Sequence, residues 1–146
     1  MGVTYDSVDK GTELAPRAYQ VTRLDLVKYA GASGDFNVIH WNERVARSVG
    51  LPNVIAHGMY TMAQAGKYVT EWASGGEHSG DPGAVTDFGV KFSAMVPVPD
   101  DDAGAQIEFS GKVLEKLPGN KVTVDIVAKA DGQKVLTRAR ATVRLS

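Results

Sequence analysis

From Phe88 to Leu145, apolar side chains fall on alternate residues in four successive runs separated by turn residues, and this pattern constrains the fold more than any other. Phe88, Val90 and Phe92 alternate with Asp87, Gly89 and Lys91. Ile107, Phe109 and Val113 form the next run, then Val122, Val124, Ile126 and Ala128, then the odd positions from Val135 to Leu145. A period of two puts one apolar face on each segment, so each is expected to be a strand with one side buried. The turns between them are Pro97-Val98-Pro99-Asp100, Pro118-Gly119-Asn120 and Asp131-Gly132. Asp-Gly between two alternating runs is a strong hairpin signal. Long strands with short connections predict an antiparallel sheet.

The first half of the chain has helical spacing instead. Residues 17–21 suggest a short leading strand. Thr22 then caps a helix carrying Leu24, Val27 and Ala30, with Asp25 in its first turn and Gly31 and Gly34 to end it. Asn42 caps a second, short helix with Val45, Ala46 and Val49 on one face, closed by Gly50 and Pro52. From Met59, apolar or small residues at 59, 62, 63, 66, 69 and 73 predict the longest helix, with Lys67 and Glu71 as an exposed pair four apart. Glycines 75, 76, 80 and 83 with Pro82 predict a flexible loop, in which His78 is a solvated residue. No linker separates the two patterns, so residues 1–146 are expected to form a single domain. The expected class is α+β: a long helix in the palm of a curved antiparallel sheet, the hot-dog arrangement.

Composition removes several functions. Sixteen Lys plus Arg against seventeen Asp plus Glu leave a charge of −1, which provides no basic field for nucleic acid. With no cysteine there is no disulfide framework and no thiolate metal site, in agreement with a cytoplasmic protein. Met1 to Lys10 lacks the apolar core of a secretory signal, and no stretch approaches the roughly 20 apolar residues needed to span a bilayer. Asp100-Asp101-Asp102 lacks the glycine and distal glutamate of a calcium loop and is expected to be a solvated turn. No metal and no cofactor are called for.

Chemistry concentrates in Gly34-Asp35-Phe36-Asn37-Val38-Ile39-His40, which sets a carboxylate and an imidazole five residues apart behind a helix-breaking glycine. Proton abstraction beside a carbonyl needs a base near neutrality, and an unperturbed imidazole has a pKa of about 6.5, which selects His40. A partly buried carboxyl group can deliver a proton to a departing hydroxyl, which selects Asp35. At His57-Gly58-Met59 a glycine opens the long helix, and the Gly58 N–H is placed to meet charge developing on a carbonyl oxygen. Asn37 is expected to hold the loop or orient water through its amide. His57 is expected to make a structural hydrogen bond near the helix start.

Tyr29-Ala30-Gly31-Ala32-Ser33-Gly34-Asp35-Phe36-Asn37-Val38-Ile39-His40 resembles the signature of MaoC-like (R)-specific enoyl-thioester hydratases and dehydratases, which runs Gly-Asp-x-Asn-Pro-aliphatic-His. The likeness extends through residues 55–59 and 88–97 and covers most of the chain. It is nearest to the B-type catalytic subunit of (3R)-hydroxyacyl-ACP dehydratase. The resemblance implies a hot-dog fold, a dyad of Asp35 and His40, a backbone donor at Gly58, and dimerisation, either with itself or with a paralogous hot-dog subunit. The implied substrate is an acyl thioester on acyl carrier protein or CoA. The methionines at 59, 62 and 95 have the choice of lining an acyl tunnel or packing in the core, and core packing is expected. Arg44, Arg47, Lys67 and Lys91 could meet a phosphopantetheine phosphate or an acidic carrier protein, and solvent exposure is expected. One departure is that Val38 stands where the family usually has proline. Three functions follow as expectations: a dehydratase of (3R)-3-hydroxyacyl thioesters in type II fatty-acid elongation; an (R)-specific enoyl-CoA hydratase of acyl or steroid side-chain degradation; and a non-catalytic acyl-binding subunit.

Overall fold

The structure, a computed structural model, describes residues 1–76 and 80–146. The first half consists of β1 (Glu13–Val21), α1 (Arg23–Ser33), α2 (Glu43–Ser48) and α3 (Gly58–Ser74). The second half consists of β2 (Val85–Phe92), β3 (Ala105–Leu117), β4 (Lys121–Ala130) and β5 (Gln133–Arg144). The strands form one antiparallel sheet in the order β1-β3-β4-β5-β2, and α3 lies against β1, β2 and β5. This is the expected hot-dog arrangement. His78 lies outside the described residues.

Alternation worked best where a strand is central. Val122, Val124, Ile126 and Ala128 of β4 are all buried, as are Ile107, Phe109 and Val113 of β3. The β4–β5 hairpin turns through Asp131 and Gly132 with φ of 51° and 74°, the two positive values that a tight hairpin of the primed type requires. In β5 the odd-position rule breaks at Arg138, whose φ is 47°. Register shifts on both sides mark a bulge there, and a second shift against β4, between Leu136 and Lys134, leaves Val135 and Leu136 both buried. Strand β1 starts at Glu13, four residues before the expected start. It carries Pro16 at a register shift between Leu14 and Arg17, which an edge strand tolerates because its free side needs no donor.

The helices depart further from their apolar stripes. Thr22 forms a full capping box with Asp25, but Gly31 lies within α1, and Gly34, in the left-handed region at φ 77°, ends the helix. Leu26 and Ala30 face the core while Leu24 and Val27 are exposed. In α3 the buried face is Thr61, Ala65, Tyr68, Val69, Glu71 and Ala73, so only 69 and 73 of the expected stripe point inward. The Tyr68 ring sets this rotation by stacking on Phe109, 5.8 Å away, which in turn meets Tyr19 at 5.5 Å. Glu71 is 2% exposed rather than a surface partner of Lys67. It accepts a 2.7 Å hydrogen bond from Tyr19 Oη, with Lys67 Nζ at 3.8 Å.

Candidate active site

Local hydrogen bonds fold the segment after α1 into a compact platform. Asp35 Oδ1 accepts from the Asn37 N–H at 3.1 Å, and Asn37 Oδ1 accepts from the Ile39 N–H at 3.3 Å. Trp41 Nε1–H donates to the Phe36 carbonyl at 3.0 Å. Such side-chain turns stand in for backbone pairing, and here they produce a single 3-10 turn, Val38–His40. Asn37 thus ties the loop together. Below the platform, Arg23 joins α1 to α2 through Glu43 at 2.7 Å and to the Val98 carbonyl at 3.0 Å.

The turn brings Asp35 and His40 together. One side-chain ligand atom from each of Asp35, His40 and His57 lies within 4.8 Å of the other two. His40 is 8% exposed, and its Nδ1 sits 2.6 Å from the Ile55 carbonyl. A carbonyl only accepts, so Nδ1 carries a proton and donates it, leaving Nε2 with the ring's available lone pair. Burial lowers the His40 pKa below 6.5. The Ile55 carbonyl and Asp35 oppose that shift, and His57 adds to it. Asp35 is exposed in the single chain, so the partial burial expected of it is not present there.

The sequence at 57–58 builds the opposite wall. Helices α1 and α2 are capped by side chains of Thr22 and Asn42, whereas α3, preceded by His57, has no side-chain cap. Its first amides, beginning with Gly58, therefore keep donor capacity at the positive end of the helix dipole. Gly58, His40, Thr61, Phe92, Met95 and Leu136 line a cavity of about 360 Å³. A Cβ on Gly58 would stand 3.1 Å from the Phe92 ring, so glycine allows this close approach. A groove of about 930 Å³ shares the walls Ser93, Ala94 and Met95 and runs on past Pro97 and Pro99. Another hollow, of about 390 Å³, lies over β1, β3 and β4 around Arg17 and Glu108 and contains none of these groups.

Several cavity residues come from outside the 34–40 segment and the start of α3. Phe92, Met95 and Leu136 arrive from the second half of the chain, and Met59 and Met95 are 56% and 53% exposed rather than core residues. His57 makes its expected structural bond, with Nε2 at 3.1 Å from the Asp35 backbone carbonyl, but it also stacks on His40 at 3.8 Å and 23°. That stacking bears on metal binding by Asp35, His40 and His57. Lone pairs lie in the ring planes, so nearly parallel rings do not aim them at one point. His40 Nδ1 and His57 Nε2 are also both engaged by carbonyls. The arrangement suits proton transfer better than chelation.

Val38 opens the 3-10 turn, and the preceding Asn37 has φ −55° and ψ 127°, the conformation that a residue before proline adopts. We therefore expect Val38→Pro to fold unchanged and to gain roughly 0.4–1 kcal/mol of stability by restricting the unfolded chain. Denaturant unfolding checks this, and a loss of stability would show that the turn is strained.

The chain belongs to the MaoC-like domain family, whose pattern matches residues 8–138. Its relatives include fatty acid synthase subunit beta of Aspergillus oryzae, 33% identical over 118 residues, or 80% of this chain and 5% of that protein. The 3-hydroxyacyl-thioester dehydratase X of Mycobacterium tuberculosis is 43% identical over 56 residues, or 37% of this chain and 20% of that protein. The chain thus spans about one twentieth of the length of the fatty acid synthase subunits it resembles. Among solved structures, a MaoC-like dehydratase superposes with a TM-score of 0.89 at 42% identity, covering 99% of this chain and 43% of that one. The R-hydratase PhaJ1 from Pseudomonas aeruginosa has the same fold, with a TM-score of 0.81 at 23% identity over 99% of this chain and 88% of that one.

Proposed function

We propose that the chain is a hydro-lyase that interconverts (3R)-3-hydroxyacyl and trans-2-enoyl thioesters, with Asp35, His40 and the Gly58 N–H as the reacting set. The observation that carries this reading is the meeting of a carboxylate and an imidazole beside a cavity that an uncapped helix start also lines. In dehydration, His40 Nε2 takes the C2 proton and the electron pair moves toward the thioester oxygen, where the Gly58 N–H donates. The C3–O bond then breaks as Asp35 gives its proton to the departing hydroxyl, releasing water. Asp35 ends as carboxylate and His40 as imidazolium, so the pair carries one transferable proton beside the Nδ1–H throughout, and hydration runs the same steps back.

A protonated carboxyl group works best away from water, and Asp35 is exposed in the single chain. We assign its cover to the bound thioester and to a second hot-dog subunit. Phe36, Trp41, Met59, Phe92 and Met95, each at least half exposed, form an apolar set around the site that such a subunit would bury. The favoured substrate is carried on acyl carrier protein, in fatty-acid elongation, which agrees with relatives named as fatty acid synthase subunits and as a 3-hydroxyacyl-thioester dehydratase. Comparing rates on crotonyl-ACP and crotonyl-CoA, with the chain alone and with a candidate paralogue, tests carrier and partner together. A clear preference for CoA would move the assignment to an enoyl-CoA hydratase.

The lowered His40 pKa also predicts a stability profile. The folded chain favours neutral His40, so below pH 6.5 it binds fewer protons than the unfolded chain. This contribution to stability is complete above the unfolded value and is lost as pH falls through the folded one. Thermal unfolding of the parent should therefore weaken with acid faster than that of His40→Gln, and parallel curves would contradict the assignment.

A further inference from the structure

His57 is 1% exposed and contacts both Asp35 and His40 without belonging to the reacting set. Its ring lies between Tyr29 of α1, 4.8 Å away at 60°, and His40 of the 3-10 turn, 3.8 Å away at 23°. Tyr29 is in turn buttressed edge-on by Tyr60 at 5.5 Å. The Nε2–H of His57 donates to the Asp35 carbonyl at 3.1 Å, while Nδ1 has no partner among the described residues. The next residue in the chain is Gly58. Among the described residues, the other hydrogen bonds of Asp35 stay within its own loop: its N–H donates to Ser33 Oγ and its Oδ1 accepts from the Asn37 N–H. From these contacts we propose that His57 is a positioning residue: its ring packs against His40, and its Nε2–H tethers the Asp35 backbone to the start of α3.

This inference rests on the lyase reading for its kinetic consequence but not for its geometry. A misplacement on the order of 1 Å can cost about 100-fold in rate. Releasing the Asp35 carbonyl should thus lower turnover while leaving substrate affinity nearly unchanged.

Two substitutions separate the contacts. His57→Phe keeps a flat ring against His40 and removes the donor. His57→Gln removes the ring but keeps an N–H the same number of bonds from Cβ. We expect His57→Phe to lower kcat roughly 10–100-fold with KM little changed, and His57→Gln to recover much of that loss. The second readout is NMR titration of the His40 ring, which faces the charges of Asp35 and His57 and the dipole of the Ile55 carbonyl. Removing the neighbouring imidazole should raise the His40 midpoint in both variants, and the Phe36 amide nitrogen should shift in His57→Phe as its carbonyl partner loses a donor.

Parent kcat in His57→Phe, or a His57→Gln enzyme no faster than His57→Phe, would overturn the proposal. So would unmoved His40 and Phe36 signals. If His57→Phe does not fold, His57→Gln decides alone by retaining most of the parent rate or not, and failure of both to fold would make His57 a core residue and end the proposal. If Asp35→Asn and His40→Ala kept parent rates, the lyase reading would fall, and the NMR signals would still judge His57 separately.

Discussion

Asp35→Asn and His40→Ala are each expected to lower turnover of a short enoyl thioester by roughly two to four orders of magnitude, the usual contribution of a positioned acid or base. The carboxamide of Asp35→Asn still offers the oxygen that accepts from the Asn37 N–H, so the loop persists while the transferable proton is lost. His40→Ala removes the donor to the Ile55 carbonyl and leaves space beside His57, which should cost about 1–3 kcal/mol of stability as well. His40→Asn restores a donor near the Nδ1 position and separates the two effects. The double variant should be little worse than either single one, because the two groups act on one event. Near-parent rates in any folded variant would reject the dyad.

Replacing Gly58 should show whether its amide is the donor. Gly58 is the first residue of α3, a position where proline is tolerated, and His57 has φ −58° and ψ 135°, as a residue before proline should. Gly58→Pro therefore deletes the N–H with little harm to the helix. We expect a loss of about 10²–10³ in kcat, equivalent to roughly 2.7–4 kcal/mol of transition-state stabilisation. Gly58→Ala is the control for bulk. The three atoms nearest its Cβ all belong to the Phe92 ring, from 3.1 Å, and that half-exposed ring can move, so the N–H survives and the rate should fall far less. Equal losses in the two variants would mean that Gly58 supplies space rather than a hydrogen bond.

The sheet was legible because its information is local. In β4 every second residue is buried, and Asp131-Gly132 has the two positive φ values that its residue types favour. The rotation of α3 was not legible, because Thr61 and Tyr68 carry polar atoms that a hydropathy stripe passes over, although the Tyr68 ring is what meets Phe109. Burial of Glu71 depends on Tyr19, 52 residues earlier, and no helical pattern encodes such a partner. Likewise, Leu24 and Val27 have the spacing of a core stripe but face outward, since Leu26 takes the inner position.

The site divides along the same line. Asp35, Asn37 and His40 lie in one short segment whose side chains build their own turns, so residue types and spacing were enough to bring them together. Phe92, Met95 and Leu136 reach the cavity only because β2, the segment after it and the β5 bulge come around α3. The stack of His57 on His40 joins residues 17 apart through tertiary packing, so the sequence around a histidine beside a helix-opening glycine indicates only a local structural role.

The most direct measurement is hydration of crotonyl-CoA by the purified chain, alone and mixed with a candidate paralogue. It is followed by loss of the conjugated enoyl absorbance and by the configuration of the product. The account predicts (3R)-3-hydroxybutyryl-CoA from the parent and almost none from Asp35→Asn. Release of free thiol, or no turnover of crotonyl-CoA or crotonyl-ACP in any assembly, would contradict it.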